Sequence, residues 1–118
     1  MKKRIDRFHE HRARMNDKIL SADFLPFKRF FSLDTAAYQE GALDELTKEL
    51  MGLVASTVLR CDDCITYHLD RCVQLNVKRE ELYEALNVAL VVGGSITIPH
   101  LRRAFETIEE LENPGGGE

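Results

Sequence analysis

Two thiols and an imidazole share one short stretch, Arg60-Cys61-Asp62-Asp63-Cys64-Ile65-Thr66-Tyr67-His68. Wound as an α-helix at about 100° per residue, Cys61 and His68 point within roughly 20° of each other, and Cys64 lies about 40° from His68. The chemistry open to such a group is that of a dithiol. An unperturbed thiol, with a pKa near ~8.5, is only about 3% thiolate at neutral pH. A helix N-terminus favours the anion, and a neighbouring imidazolium favours it further. Asp62 and Asp63 oppose that effect while stabilising the helix start. One thiolate attacks an oxidant and becomes a sulfenic acid; the second condenses with it to a disulfide.

A Cys-x-x-Cys pair is shared by redox proteins and zinc sites, so its surroundings decide. A thioredoxin-like site needs a βαβ context, which this chain lacks. A closed zinc site needs four ligands, and beyond the pair only His9, His11, His100 and Cys72 remain with His68. His9 and His11 diverge by about 200° on a helix and chelate poorly, so zinc would need a recruited carboxylate. The redox reading is the better one. Cys72 lies about 16 Å along the helix axis from Cys61 and cannot bridge to it; it reads as a buried hydrophobe. His100 reads as a packing residue near a helix start. Tyr67 either lines the site or fills an interface.

The chain that must position these groups has 118 residues, enough for one core. It is 44% hydrophobic and 31% charged, with net charge −4, which argues against nucleic acid as a partner. Residues 1–20 carry +4 and the remainder −8; the basic start, interleaved with acids, reads as a solvated helix face. No run approaches the ~18 apolar residues of a membrane span, and the charged start lacks the apolar block of a signal peptide. The expected location is the cytoplasm, where a paired thiol is kept reduced and is catalytic or metal-binding rather than structural.

Helical periodicity dominates and no useful strand alternation occurs, so the fold class is an all-α bundle of about five to six helices. Residues 4–19 place Ile5, Phe8, Met15 and Ile19 in one stripe interrupted by Arg12. Residues 21–41 crowd Phe24, Leu25, Phe27, Phe30, Phe31 and Leu33 around Pro26 without a period. They read as an apolar loop or short turns over a core or a neighbouring subunit, with Asp34 capping a short helix over 35–40 that Gly41 ends. A helix from Ala42 to about Leu59, capped by Asp44, buries Leu43, Leu46, Leu50, Leu53 or Val54, and Val58. Gly52 in its middle marks a close approach. The next helix opens near Cys61 and runs to Leu75, with Asn76 as a left-handed stop and Ile65, Leu69, Cys72 and Val73 facing the core. A fourth runs from Lys78 to Val92; being apolar all round over Ala85–Val92, it should be the most buried. Gly93 and Gly94 break it. The last starts between Ser95 and Pro99 and carries a stripe of Leu101, Ala104, Phe105, Ile108 and Leu111. Residues 1–112 form the single domain and 113–118 a flexible tail.

Glu49, twelve positions before Cys61, completes the pattern Glu49…Cys61-x-x-Cys64-x-x-x-His68. This pattern resembles the alkylhydroperoxidase D-like / carboxymuconolactone decarboxylase family, as do Thr47-Lys48-Glu49-Leu50-Met51-Gly52-Leu53-Val54-Ala55-Ser56 and Ala85-Leu86…Val92-Gly93-Gly94. The likeness spans roughly Phe27 to Leu111. It implies a helical bundle assembled into trimers or hexamers, and a thiol-dependent peroxidase or related dithiol oxidoreductase in which Glu49 and His68 relay protons to Cys61 and Cys64. It implies no bound cofactor and no metal. The partners would be a hydroperoxide, a dithiol protein or lipoyl-type donor that reduces the disulfide, and other copies of the chain; nucleic acid and membrane are not expected. Read from the residues alone, Glu49 lies at the border of the buried stripe beside Gly52 and Ser56, where a half-buried carboxylate can shuttle protons; the alternative is a surface acid paired with Lys48 or Arg60. Family peroxidases often carry a histidine between the cysteines, where this chain has Asp63. Retention of both cysteines argues against the decarboxylase reaction. The alternative function is a non-catalytic oligomeric module that senses redox state or binds a metal or ligand.

Overall fold

A computed structural model describes residues 2–113. The expected flexible tail, apart from Asn113, lies outside the described residues. Six α-helices follow in order: α1 (Arg4–Ser21), α2 (Leu25–Ala37), α3 (Glu45–Val58), α4 (Asp62–Gln74), α5 (Arg79–Gly93) and α6 (Ile98–Glu112), with a 3₁₀ turn at Ser95–Thr97. None is long and apolar enough to cross a membrane.

Local chemistry sets most of the boundaries. Asp44 caps α3 by accepting the Thr47 N–H at 2.8 Å, so the helix begins three residues later than its apolar pattern suggests and leaves Leu43 exposed. At its other end Arg60 takes a left-handed conformation (φ 60°). The Cys61 N–H then reaches back to the Ser56 carbonyl and the Arg60 N–H to that of Thr57, a closed stop that delivers Cys61 to the start of α4. Asn76 (φ 62°) ends α4 the same way, with Val77 N–H on the Cys72 carbonyl and Asn76 N–H on that of Val73. The Glu81 carboxylate accepts the Lys78 N–H at 2.8 Å and caps α5.

The core is the meeting of α3, α4, α5 and α6: Leu53, Ile65, Leu69, Cys72, Leu82, Leu86, Ala104 and Ile108 are all buried. Helix α1 packs along α6 through buried Ile5, whose N–H donates to Glu110 at 2.8 Å. It is pinned to α4 by His9 and Asp70, 2.9 Å apart.

Two expectations fail. Residues 25–37 are one continuous helix rather than a loop or short turns: Pro26 sits in its first turn, where its missing N–H is not required. Asp34 is inside that helix and caps nothing, and Gly41 follows it in a loop. Helix α2 contributes no buried residue, which is why its apolar side chains show no single-sided period. Helix α5 is also not the most buried. Leu82, Leu86 and Ala89 face the core, but Val88, Val91 and Val92 lie on the opposite side and are 52%, 76% and 68% exposed. Being apolar all round gives α5 two apolar faces, of which one chain covers one.

Candidate active site

Helices α3 and α4 place the reacting groups. Glu49 on α3 and His68 on α4 are both buried, and the Glu49 Oε1 to His68 Nδ1 distance is 2.8 Å. A carboxylate only accepts, so Nδ1 carries the hydrogen and Nε2 is left for proton exchange. The second Glu49 oxygen faces Arg71 Nε at 3.6 Å. The surface-acid alternative for Glu49, paired with Lys48 or Arg60, is therefore wrong; its partners lie inward, on α4.

Gly52 makes this approach possible. A Cβ there would lie 2.5, 2.7 and 2.9 Å from Cε1, Nε2 and Nδ1 of His68, well inside ordinary contact. The glycine expected to mark a close approach thus admits the imidazole itself. Tyr67 stands edge-on to the ring with centroids 5.2 Å apart, and Tyr38 tilts over it at 5.4 Å. Burial, and then the Glu49 charge, push the pKa of the Tyr67 hydroxyl up and so disfavour its ionisation; for Tyr38 burial acts first, followed by Asp34 and Glu49.

Cys61 and Cys64 are joined as a disulfide with Cα atoms 5.3 Å apart. Cys61 does not lie on the helix face that uniform winding gave it. It is the N-cap of α4, in extended conformation (φ −104°, ψ 99°), and its sulfur accepts the Cys64 N–H at 3.2 Å. Cys64 is in the first turn of α4, where the dipole favours an anion. It is the more exposed of the two. Asp62 is held from α6 by His100 Nδ1 at 2.7 Å and Arg103 Nη1 at 2.9 Å, so His100, expected as a surface or packing residue, makes a hydrogen bond that steadies the start of α4. Cys72 is fully buried and far from the pair in role; burial pushes its thiol up to about 12.

Cys64 and His68 open on a cavity of about 380 Å³ whose far wall is α1: Phe8, His11, Arg12 and Met15. A second cavity of about 470 Å³ reaches Glu49 and Arg71. Phe8, Arg12, Asp34 and Tyr67 line both. The Arg12 guanidinium lies 4.4 Å above the Tyr67 ring and stands between the two chambers. The basic face of α1 is thus not merely solvated. Its polar interruption, Arg12, was the one sequence signal for this wall; Tyr38 and Arg71 left none, because helix-to-helix placement has no local periodicity. Among the described residues no three His, Cys, Asp or Glu side chains group to hold a metal ion.

Comparison with known proteins agrees with this architecture. Residues 26–107 match the carboxymuconolactone decarboxylase family. The chain is similar to "Uncharacterized protein 4 in cox locus" of Paracoccus denitrificans, 26% identical over 70% of this chain and 75% of that one. Among solved structures it is similar to a Thermotoga maritima family protein with a suggested part in the antioxidative response (62% identity, 95% and 96% of the two chains, TM-score 0.88). It is also similar to the apo form of lpg0406, a family protein from Legionella pneumophila (30% identity, 93% and 98%, TM-score 0.85). The chain belongs to the carboxymuconolactone decarboxylase family and has its all-α, alkylhydroperoxidase D-like fold.

Proposed function

We propose that the protein is a thiol-dependent peroxidase. The observation that carries this reading is the buried Glu49–His68 hydrogen bond whose imidazole adjoins the Cys64 side of the dithiol cavity. In the reduced protein the Cys64 thiolate attacks the outer oxygen of a hydroperoxide. The O–O bond breaks, the alkoxide leaves as an alcohol on taking the proton that His68 Nε2 had accepted from the Cys64 thiol, and Cys64 becomes a sulfenic acid. Cys61 then attacks the Cys64 sulfur and water leaves. One hydroperoxide and two thiols yield one alcohol, one water and one disulfide. Glu49 holds the imidazole in the orientation and tautomer that serve both proton transfers. An external dithiol, a protein or a lipoyl-type donor, reduces the disulfide by thiol exchange and restores the enzyme. That cycle suits the reducing cytoplasm, and it draws no cofactor into the site.

Cys64 is assigned the attack because it is exposed and lines the cavity, whereas Cys61 is half-buried and is not part of that lining. Replacing it tests the reading: Cys64→Ser should lose hydroperoxide consumption altogether, and unchanged consumption would exclude the mechanism. The working form is a homo-oligomer, a trimer or hexamer. The apolar face of α2 and an apolar groove of about 680 Å³ between α3 and α5, lined by Leu50, Met51, Val54, Val58, Val88 and Val92, are suited to cover one another between copies.

A further inference from the structure

The wall opposite the dithiol is α1 (Arg4–Ser21), which precedes the residues 26–107 that match the family. Along its cleft face run Phe8, Arg12, Met15 and Asn16, at helical spacing, with His11 beside them. Phe8 and Met15 are half-buried and apolar; Arg12, His11 and Asn16 are hydrogen-bond donors. Arg12 differs from the other cleft groups in what holds it. Its guanidinium lies over the Tyr67 ring at 4.4 Å, a contact that holds it in the cleft without consuming its N–H donors. Among the described residues the arginines in ion pairs are Arg4, Arg71, Arg79 and Arg103, and Arg12 is in none, although Asp34 and Asp63 line the same cavity. A planar fork held in place by an aromatic ring and left without an ion-pair partner, in a partly apolar cavity, is suited to a bidentate carboxylate.

We propose that Arg12 is a specificity-determining residue that anchors the carboxylate of an organic hydroperoxide whose apolar body lies against Phe8 and Met15 while its peroxide group reaches Cys64. The inference rests on the peroxidase reading for its substrate, but not for its anion site. Asp34 and Asp63 in the lining disfavour a second negative charge, so the substrate carries one carboxylate rather than a polyanionic group.

Two probes separate the anion site from the peroxidase reading. The first is alkylation of Cys64 in the reduced protein by iodoacetate and by iodoacetamide, which differ in charge and need no peroxidase activity. Arg12→Ala should lower the iodoacetate-to-iodoacetamide rate ratio by about three- to tenfold. Arg12→Lys, which keeps the charge and loses the fork, should retain most of the ratio. The second probe is turnover of a fatty-acid hydroperoxide against its methyl ester: the wild type should favour the acid through KM, and either Arg12 variant should lose that preference, because the fork is gone in both. A lowered alkylation ratio without hydroperoxide turnover would leave the anion site standing and exclude the peroxidase reading. An alkylation ratio unchanged in Arg12→Ala would overturn the proposal whatever the turnover. Arg12 is exposed on α1, so neither variant removes core packing.

Discussion

Gly52→Ala separates the geometry of the site from the stability of the fold. The added Cβ would stand 2.5 to 2.9 Å from three atoms of the His68 ring. Carbon contacts settle at about 3.5–4.0 Å, so the ring must retreat by about 1 Å. The Nδ1–Oε1 distance of 2.8 Å would then open to roughly 3.8 Å, beyond a hydrogen bond. Losing that bond between buried groups costs about 1–3 kcal/mol. Alanine in place of a mid-helix glycine returns about 1 kcal/mol. The net destabilisation is therefore about 0–2 kcal/mol, a fall in thermal midpoint of at most about 10 °C. Activity should respond far more, since a displacement of about 1 Å in a catalytic group costs on the order of 100-fold. The assay is initial-rate hydroperoxide consumption beside thermal or urea unfolding of the same preparation. A variant that is both folded and within about threefold of wild-type activity would refute the reasoning, because the His68 position would then not matter to the chemistry.

The buried Cys72 thiol gives a pH prediction. Its folded pKa, about 12, exceeds the ordinary value of 9.0. Folding then holds a proton that the unfolded chain releases, so stability falls as pH rises above 9, by at most about 1.4 kcal/mol per pH unit from this group. Tyr38 and Tyr67, also raised, add to the decline above pH 10. Urea midpoints between pH 8.5 and 10 should fall in the wild type and fall less in Cys72→Ala; equal slopes would refute the assignment. For assembly, light scattering should give a mass that is a multiple of 13.5 kDa. Phe30→Glu with Leu33→Glu on α2 should lower it, and a wild-type monomer at micromolar concentration would refute the oligomer.

How far the site was legible follows from what each residue's pattern could encode. Cys64 and His68 are one helical turn apart, so their adjacency was readable from spacing alone. Cys61 was misplaced by the same method, because a residue at the N-cap leaves the helical winding that relates the others. Gly52 announced a close approach but not the identity of its neighbour, which depends on how α3 crosses α4. Glu49 was raised above a surface acid only by family resemblance, for the same reason. Helix α2 was misread in its secondary structure, and the outer face of α5 in its burial. The apolar run of α5 was assigned to the interior of a single chain, whereas residues 21–41 were left between a core and a neighbouring subunit; the structure leaves Phe30 67%, Leu33 68% and Val91 76% exposed. Arg12 was visible as a flaw in an apolar stripe; only the position of Tyr67 gives that flaw a use.

The central claim is that the Cys61–Cys64 dithiol reduces a hydroperoxide with His68 and Glu49 moving the protons. A single-turnover experiment tests it most directly: fully reduced protein is mixed with a substoichiometric organic hydroperoxide, and thiols, alcohol and disulfide are counted. The account predicts two thiols lost for each alcohol formed, a Cys61–Cys64 disulfide as the protein product, and no reaction in Cys64→Ser. Hydroperoxide left intact by the reduced wild type, or consumed equally by Cys64→Ser, would contradict it.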